Sequence, residues 1–313
     1  MQITWSLEET DLPAAWLTIG SFDGVHRGHQ AIIRELVKSA HLAGVPAAVL
    51  TFFPHPSVVL RNRQEPIYLT SPEERAALLG DLGIDIVITH PFTRELAAMS
   101  AQAFMDLVNR RLHPRHILVG YDFALGHNRE GNVDRLRELG AEFGYTLDVF
   151  QPVKMEGEIV SSSQIRTALA EGEIVKAEWL LGRPYQVSGP VVHGDGRGKL
   201  LGIPTANLDV WPWRVLPKAG VYACQAHIDG QVWRAVTNVG IRPTFEDRPV
   251  PPRVETHVLD FARNLYGNQV QLDFINRLRD EQRFPSVDAL VAQIEQDIQH
   301  AKEKLLDRFP PDN

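Results

Sequence analysis

Gly20-Ser-Phe-Asp-Gly-Val-His-Arg-Gly-His29 decides the reading of the first half of this 313-residue chain. An apolar run at residues 14–19 leads into it. Residues 30–42 follow, with Ile32, Ile33, Leu36, Val37 and Ala40 at helical spacing. A strand therefore passes into a helix through a loop in which Gly24 and Gly28 allow close backbone approach and unusual dihedrals. The helix N-terminus offers free N–H groups and a positive dipole end, which suits an anion. His26 and His29 stand three apart, so both can point from the first turn toward one space. Paired imidazoles there can donate hydrogen bonds to phosphate oxygens. That suits nucleotidyl transfer, where charge at the attacked phosphorus is stabilised and no protein nucleophile is needed. Two other readings stay open at this stage: a metal-binding pair, for which no third ligand stands nearby, and plain helix-capping or surface residues.

Working outward, further strand-like runs occupy residues 47–53, 84–89, 116–119 and 146–150. Helical patterns separate them. Ser71-Pro-Glu-Glu74 is a capping box with proline at the first helical position, predicting a helix through Leu82; residues 100–112 and 132–143 are amphipathic. Alternation of this kind predicts a buried parallel sheet with right-handed crossovers, and binding sites at the carboxyl ends of its strands. Two short helices, 163–170 and 174–181, end at Gly182-Arg-Pro184, the expected boundary between domains 1–182 and 183–313.

The second part reads as mostly β, with strands at 185–193, 221–228, 232–239, 253–260 and 270–278 separated by turns such as Asp229-Gly230. A small antiparallel barrel follows from that pattern. A closing helix carries Val287, Leu290, Val291, Ile294, Ile298 and Leu305 on one face, expected to pack on the barrel. Prolines are denser here, 12 against 9 in the longer first part, which supports a change of architecture.

Composition bounds what the chain does. Hydrophobic residues at 44% and charged residues at 23% are ordinary for a globular protein of about two domains. The formal net charge of −7 argues against a nucleic-acid surface but not against a small basic phosphate pocket. The lone Cys224 cannot form an intramolecular disulfide and reads as a small buried hydrophobe. The first residues lack the pattern of a signal peptide and no run is long enough to span a bilayer, so the cytoplasm and no membrane partner are expected.

A second glycine-rich stretch is Val192-His-Gly-Asp-Gly-Arg-Gly-Lys-Leu-Leu-Gly-Ile-Pro-Thr-Ala-Asn-Leu208. Gly194, Gly196, Gly198 and Gly202, with Arg197 and Lys199 between them, can wrap a polyphosphate, although no Walker A pattern is present; a mobile hairpin loop is the alternative. Thr205 and Asn207 offer oxygens suited to a hard cation such as Mg²⁺, or to capping a turn.

The His-x-Gly-His string, with Phe22-Asp-Gly-Val25 before it, resembles the nucleotidylyltransferase superfamily and, more narrowly, the FMN adenylyltransferase module of bacterial FAD synthetases. Three further segments share that resemblance: Thr51-Phe-Phe-Pro-His-Pro56, Val119-Gly-Tyr-Asp-Phe-Ala-Leu-Gly126 and Ser161-Ser-Ser-Gln-Ile-Arg166. Gly-x-Pro-Thr-Ala-Asn, then Asn238-Val-Gly-Ile-Arg-Pro-Thr-Phe245, Val254-Glu-Thr-His-Val-Leu-Asp-Phe261 and Leu265-Tyr-Gly267, resemble riboflavin kinase. Ser21, Leu125, Ile203 and Ile241 depart from the commoner residues of these patterns. The resemblance implies an α/β fold with a Rossmann-like N-terminal domain and parallel sheet, followed by a riboflavin kinase-like antiparallel barrel. It implies conversion of riboflavin to FMN and of FMN to FAD, each with ATP and Mg²⁺. By the same resemblance, His26, His29 and Arg166 stabilise the phosphates of adenylyl transfer, and Gly20, Phe22, Asp23, Gly28, Ser162 and Ser163 line the nucleotide. Pro54, His55, Pro56 and Asp122 lie by the flavin. In the second domain Gly194, Arg197, Gly198 and Lys199 bind ATP, Thr205 and Asn207 hold the metal, and Glu255 takes the proton of the ribityl hydroxyl. A chain with one degenerate module, and a non-catalytic flavin or nucleotide carrier, are the rival readings.

Overall fold

The computed structural model describes residues 1–194, 198, 201–240 and 253–308. Its contacts divide the chain into two compact units, Met1–Ser162 and Ser163–Asn313.

The first unit is built on a six-stranded parallel sheet: β1 (Gln2–Thr4), β2 (Ala15–Ile19), β3 (Ala47–Phe53), β4 (Ile86–Pro91), β5 (Pro114–Gly120) and β6 (Thr146–Phe150), in the order β1-β4-β3-β2-β5-β6. All five expected strands are there. The extra strand, β1, pairs with β4 through Gln2–Ile86, Ile3–Val87 and Thr4–Ile88. Its three residues, two of them polar, are too few to show a period. Around the sheet lie α1 (Arg27–Leu42), α2 (Pro56–Arg61), α3 (Pro72–Asp81), α4 (Arg94–Ala98), α5 (Ala101–Leu112) and α6 (Val133–Phe143). Ser71, Ser100 and Asn132 cap α3, α5 and α6, and Ser71 and Glu74 form the full capping box. Helices α2 and α4, of six and five residues, carry too little periodicity to read from sequence.

Alternate residues of the central strands feed two cores, as the period of two requires. Ala48, Leu50, Ile86 and Ile88 join Leu17, Phe104 and Val119 on one face. Ala47, Val49 and Val87 join Ile33, Leu36 and Leu79 on the other. The topology then places the site. The chain lays β2, β3 and β4 side by side in one direction, and returns to put β5 against the opposite edge of β2. The carboxyl ends of β2 and β5 therefore flank a topological switch point, where such sheets bind ligands.

From Ser163 on, the second unit takes in the rest of α7 (Ser162–Glu171), then α8 (Ile174–Leu181), and continues into a closed antiparallel barrel. Its strands are β9 (Tyr185–Val192), β10 (Ala206–Leu208), β11 (Gly220–Ile228), β12 (Gln231–Gly240), β13 (Arg253–Val258) and β14 (Gln269–Arg279), arranged β10-β13-β12-β11-β14-β9. Five match the expected strands. The sixth, β10, closes the barrel from within the Pro-Thr-Ala-Asn stretch, pairing with both β13 and β9. Asp229 (φ 49°) and Gly230 (φ 76°) make the tight turn between β11 and β12. Cys224 is fully buried in β11, and burial pushes its thiol up, as expected of a structural cysteine.

The closing helix α9 (Val287–Lys304) packs on β11, β12 and β14, but not along the whole expected stripe. Ala301 and Leu305 are buried, whereas Val287 is 58% exposed. The contact centres on Asp297, whose carboxylate takes Arg279 Nε at 2.9 Å and Nη2 at 2.7 Å. That ion pair seats the C-terminal half of the helix and leaves the first turn outside. Among the described residues no helix is long and apolar enough to cross a membrane.

Candidate active sites

The loop leaving β2 has a strained backbone. Phe22 (φ 46°), Gly24 (φ 81°) and Val25 (φ 40°) lie in the left-handed region. A β-branched residue holds such a conformation only where its surroundings enforce it. Here they do. Phe22 and Val25 are buried. The Asp23 carboxylate accepts Leu69 N–H at 2.9 Å and Thr70 N–H at 3.2 Å, and Thr70 Oγ1 accepts Gly24 N–H at 3.1 Å. The Ser162 hydroxyl donates to the Asp23 carbonyl at 2.9 Å. Asp23 is thus a buried anchor that shapes the loop, with its carboxylate turned to the 69–70 segment.

The held loop delivers His26 to the N-cap of α1, where Nδ1 accepts the His29 N–H at 3.3 Å. A nitrogen that accepts carries no proton, so neutral His26 presents Nε2–H as its donor. The two imidazoles stack, centroids 3.6 Å apart and planes 19° from parallel, and Phe22 meets His29 edge-on at 5.2 Å. A Cβ on Gly28 would stand 3.1 Å from the His26 ring, and one on Gly20 3.0 Å from the Phe22 ring, so both positions let backbone lie against those rings. Desolvation first, then the electrostatic influence of neighbouring His26 and Arg75, holds the His29 imidazole well below the ordinary histidine range. His29 keeps some exposure and is not a core residue. Its Nδ1 is buried without a partner.

Neighbouring strand ends carry the flanking candidates. Pro54, His55 and Pro56 follow β3, with the Phe53–Pro54 peptide cis. The His55 N–H donates to Tyr68 Oη at 2.6 Å, and His55 Nδ1 accepts the Ser57 N–H at 3.1 Å, opening α2. Asp122 is exposed just beyond β5, where Arg129 donates to its carbonyl at 2.9 Å. In α7, Ser163 is exposed, and Arg166 lies one turn beyond Ser162 on the same helix face. Sequence reasoning missed Arg75 and Tyr68, which act across long separations and belong to no quoted motif.

The barrel holds the second site. Asn207 on β10 pairs with Glu255 on β13, and Glu255 with Asn238 on β12, so three polar residues form one row across three strands. Along β13 the neighbours Val254 and Thr256 are buried while Glu255 is partly exposed, so the row lies outside the barrel core. A Cβ on Gly194 would fall 2.2 Å from Asn207 Nδ2, and one on Gly198 would fall 2.4 Å from the Ile203 carbonyl and 3.3 Å from Thr205 Oγ1. Both glycines let the loop lie against the candidate metal-binding stretch. Asn238 Nδ2 donates to Glu281 Oε1 at 3.2 Å, adding a carboxylate that the sequence did not single out. Arg197, Lys199 and Ile241 lie outside the described residues. Among the described residues no group of three or more His, Cys, Asp or Glu side chains could hold a metal, at His26–His29 or elsewhere. The donors at Thr205 and Asn207 are neutral oxygens, which fit a hard cation that takes its remaining ligands from phosphate.

Stacked imidazoles beside the switch point of one unit, and Glu255 in register with two asparagines in the other, suit a two-module transferase. The profile of the FAD synthetase family matches residues 8–164, and that of riboflavin kinase residues 181–305. The bifunctional riboflavin kinase/FMN adenylyltransferase of Listeria monocytogenes is 38% identical over 287 residues, 91% of each chain. Its counterpart from Pseudomonas fluorescens is 41% identical over 286 residues, again 91% of each. A crystal structure described as a macrolide-efflux protein from Streptococcus pneumoniae superposes with a TM-score of 0.86 at 30% identity, covering 96% of this chain and 98% of the other. The chain belongs to the bifunctional riboflavin kinase/FMN adenylyltransferase family.

Proposed function

We propose that the barrel phosphorylates riboflavin and the parallel-sheet unit adenylylates the product, with domain limits of 1–182 and 183–313. In the first reaction the ribityl 5′-hydroxyl attacks the γ-phosphorus of ATP, Glu255 takes its proton, and ADP leaves with FMN formed. Gly194, Arg197, Gly198 and Lys199 bind the substrate phosphates in this reading, with Arg197 and Lys199 as the cations. Thr205 and Asn207 would hold Mg²⁺, which when bound neutralises charge on the phosphates. In the second reaction an FMN phosphate oxygen attacks the α-phosphorus of a second ATP, and pyrophosphate leaves with FAD formed.

At that second site His26 Nε2–H donates to phosphate oxygen, and His29 acts from the same stack. An arriving anion favours the protonated form of His29 just where negative charge accumulates. Ser162, Ser163 and Arg166 clamp phosphate from the start of α7, around a nucleotide seated on Gly20, Phe22 and Gly28. Pro54, His55, Pro56 and Asp122 border the flavin. The cytoplasm, where ATP and flavin are available, is the proposed location.

The observation that carries this reading is that one chain holds both sets of groups: stacked imidazoles at a sheet switch point, and Glu255 in register with Asn207 and Asn238 in the barrel. The test is incubation of the purified chain with riboflavin, ATP and Mg²⁺, then chromatography of the flavins. FMN followed by FAD is expected; absence of both refutes the enzyme reading, and FMN alone refutes the second half of it.

A further inference from the structure

Arg75 lies on α3, one residue after the Ser71–Glu74 capping box and outside every motif read as functional, and has no solvent exposure. Its Nη1 donates to the Ser21 carbonyl at 2.9 Å, to Thr51 Oγ1 at 3.0 Å and, more weakly, to the Phe52 carbonyl at 3.4 Å. Thr51 Oγ1 itself donates to the Ser21 carbonyl at 3.1 Å. One guanidinium nitrogen thus ties the carboxyl end of β3 to the residue that opens the His26–His29 loop. Its Nε and Nη2 are buried with no hydrogen-bond partner, as is His29 Nδ1. A buried cation is costly unless paired and hydrogen-bonded, and a group left so in a native fold calls for an explanation.

We propose that Arg75 is a positioning residue of the adenylyl-transfer site: it clamps the ends of β2 and β3 and sets a fixed positive charge, with unspent donors, beside the stacked imidazoles. This rests on the assignment of His26 and His29 to that reaction. The charge acts in two ways. It adds to the field that a polyphosphate meets at the loop, in an interior that screens it poorly. It also keeps His29 neutral in the empty site, alongside desolvation and His26. The groups acting on His29 are His26 from the N-cap and Arg75 from α3. The groups acting on Arg75 are Asp23, Tyr68 and Glu73, and its own desolvation outweighs them. The clamp explains why an arginine rather than an apolar residue fills this core position: a leucine of similar reach offers no donor to the Ser21 and Phe52 carbonyls.

The test uses the full chain with Arg75→Gln and Arg75→Lys, and reads three quantities. The first is the titration midpoint of the His29 ring by NMR, without substrate. The second is the pH profile of FMN-to-FAD conversion. The third is riboflavin phosphorylation by the same preparation. For Arg75→Gln, the His29 midpoint is expected to rise toward the ordinary histidine range. FAD formation falls roughly tenfold or more with the acid limb of its profile displaced, and kinase activity stays within about twofold. Arg75→Lys, which keeps the charge, restores the midpoint and part of the rate. An unchanged His29 midpoint in Arg75→Gln, or a lysine variant no better than the glutamine one in either readout, overturns the proposal. If Arg75→Gln does not fold, the lysine variant decides, since a midpoint shifted as far as in a denatured chain would show that charge at 75 does not act on His29. A wild-type chain that makes FMN but no FAD would instead refute the adenylyl-transfer reading, leaving the titration to judge the charge alone.

Discussion

Asp23→Ala is the sharpest stability test of how the strained loop is held. Asp23 is 1% exposed and accepts from Leu69 N at 2.9 Å, Thr70 N at 3.2 Å and Thr70 Oγ1 at 3.4 Å. Alanine strands two buried backbone N–H groups, each costing about 1–3 kcal/mol, and removes the anion that faces the Arg75 charge. The first unit should lose about 4 kcal/mol, a large part of an ordinary domain's stability. At a denaturant dependence of about 2 kcal/mol per molar, its urea midpoint falls by about 2 M. Hydrogen exchange in rising urea, read at Leu69 and Thr70 against β12 amides, separates the two units. Asp23→Asn keeps the shape and one acceptor, so it should fall between the two. With the anchor gone, Phe22 and Val25 can leave their left-handed conformations, so FAD formation should drop while riboflavin phosphorylation persists. A midpoint for Asp23→Ala within about 0.5 kcal/mol of wild type would refute the reasoning.

Other consequences follow from the same structure. Gly198→Ala puts a Cβ 2.4 Å from the Ile203 carbonyl, so the loop must shift; kcat/KM for riboflavin phosphorylation should fall at least tenfold, about 1.4 kcal/mol, with FMN-to-FAD conversion unchanged in the same assay. Asp297→Ala leaves the partly buried Arg279 without its carboxylate and should destabilise the second unit by about 2–3 kcal/mol, seen as a lowered temperature of kinase inactivation. His29 has a lowered folded pKa, so the unfolded chain binds more protons between that value and about 6.5; its stabilisation is full above pH 6.5 and lost as pH falls below it. His29→Gln should therefore flatten the urea midpoint between pH 7.5 and pH 5.

Much of this was legible in the sequence, for physical reasons. Strands β2, β3 and β4 are largely buried and read as near-continuous apolar runs, and Ser71, Ser100 and Asn132 announce their helices by local capping chemistry. The His26–His29 pair follows from helical spacing alone. Asp23, Arg75 and Tyr68 were opaque because their partners are distant: Asp23 meets Thr70 across 47 residues and Arg75 meets Ser21 across 54. Glu73-Glu74-Arg75 reads as an ordinary charged helix face until the fold brings it under the sheet end. Strand β10 escaped because three residues after a proline show no alternation, and only pairing with β9 and β13 makes them a strand. The stripe on α9 was over-read toward Val287 because apolar spacing cannot reveal that a buried Asp297 sets where the helix is seated.

The central claim is that two separable reactions reside in one chain, and the most direct measurement follows both flavins in the Glu255→Gln and His29→Ala variants. Glu255→Gln should fail to convert riboflavin to FMN yet still turn supplied FMN into FAD, whereas His29→Ala should accumulate FMN and make little FAD. Loss of both reactions in either folded variant, or of neither, would contradict the account.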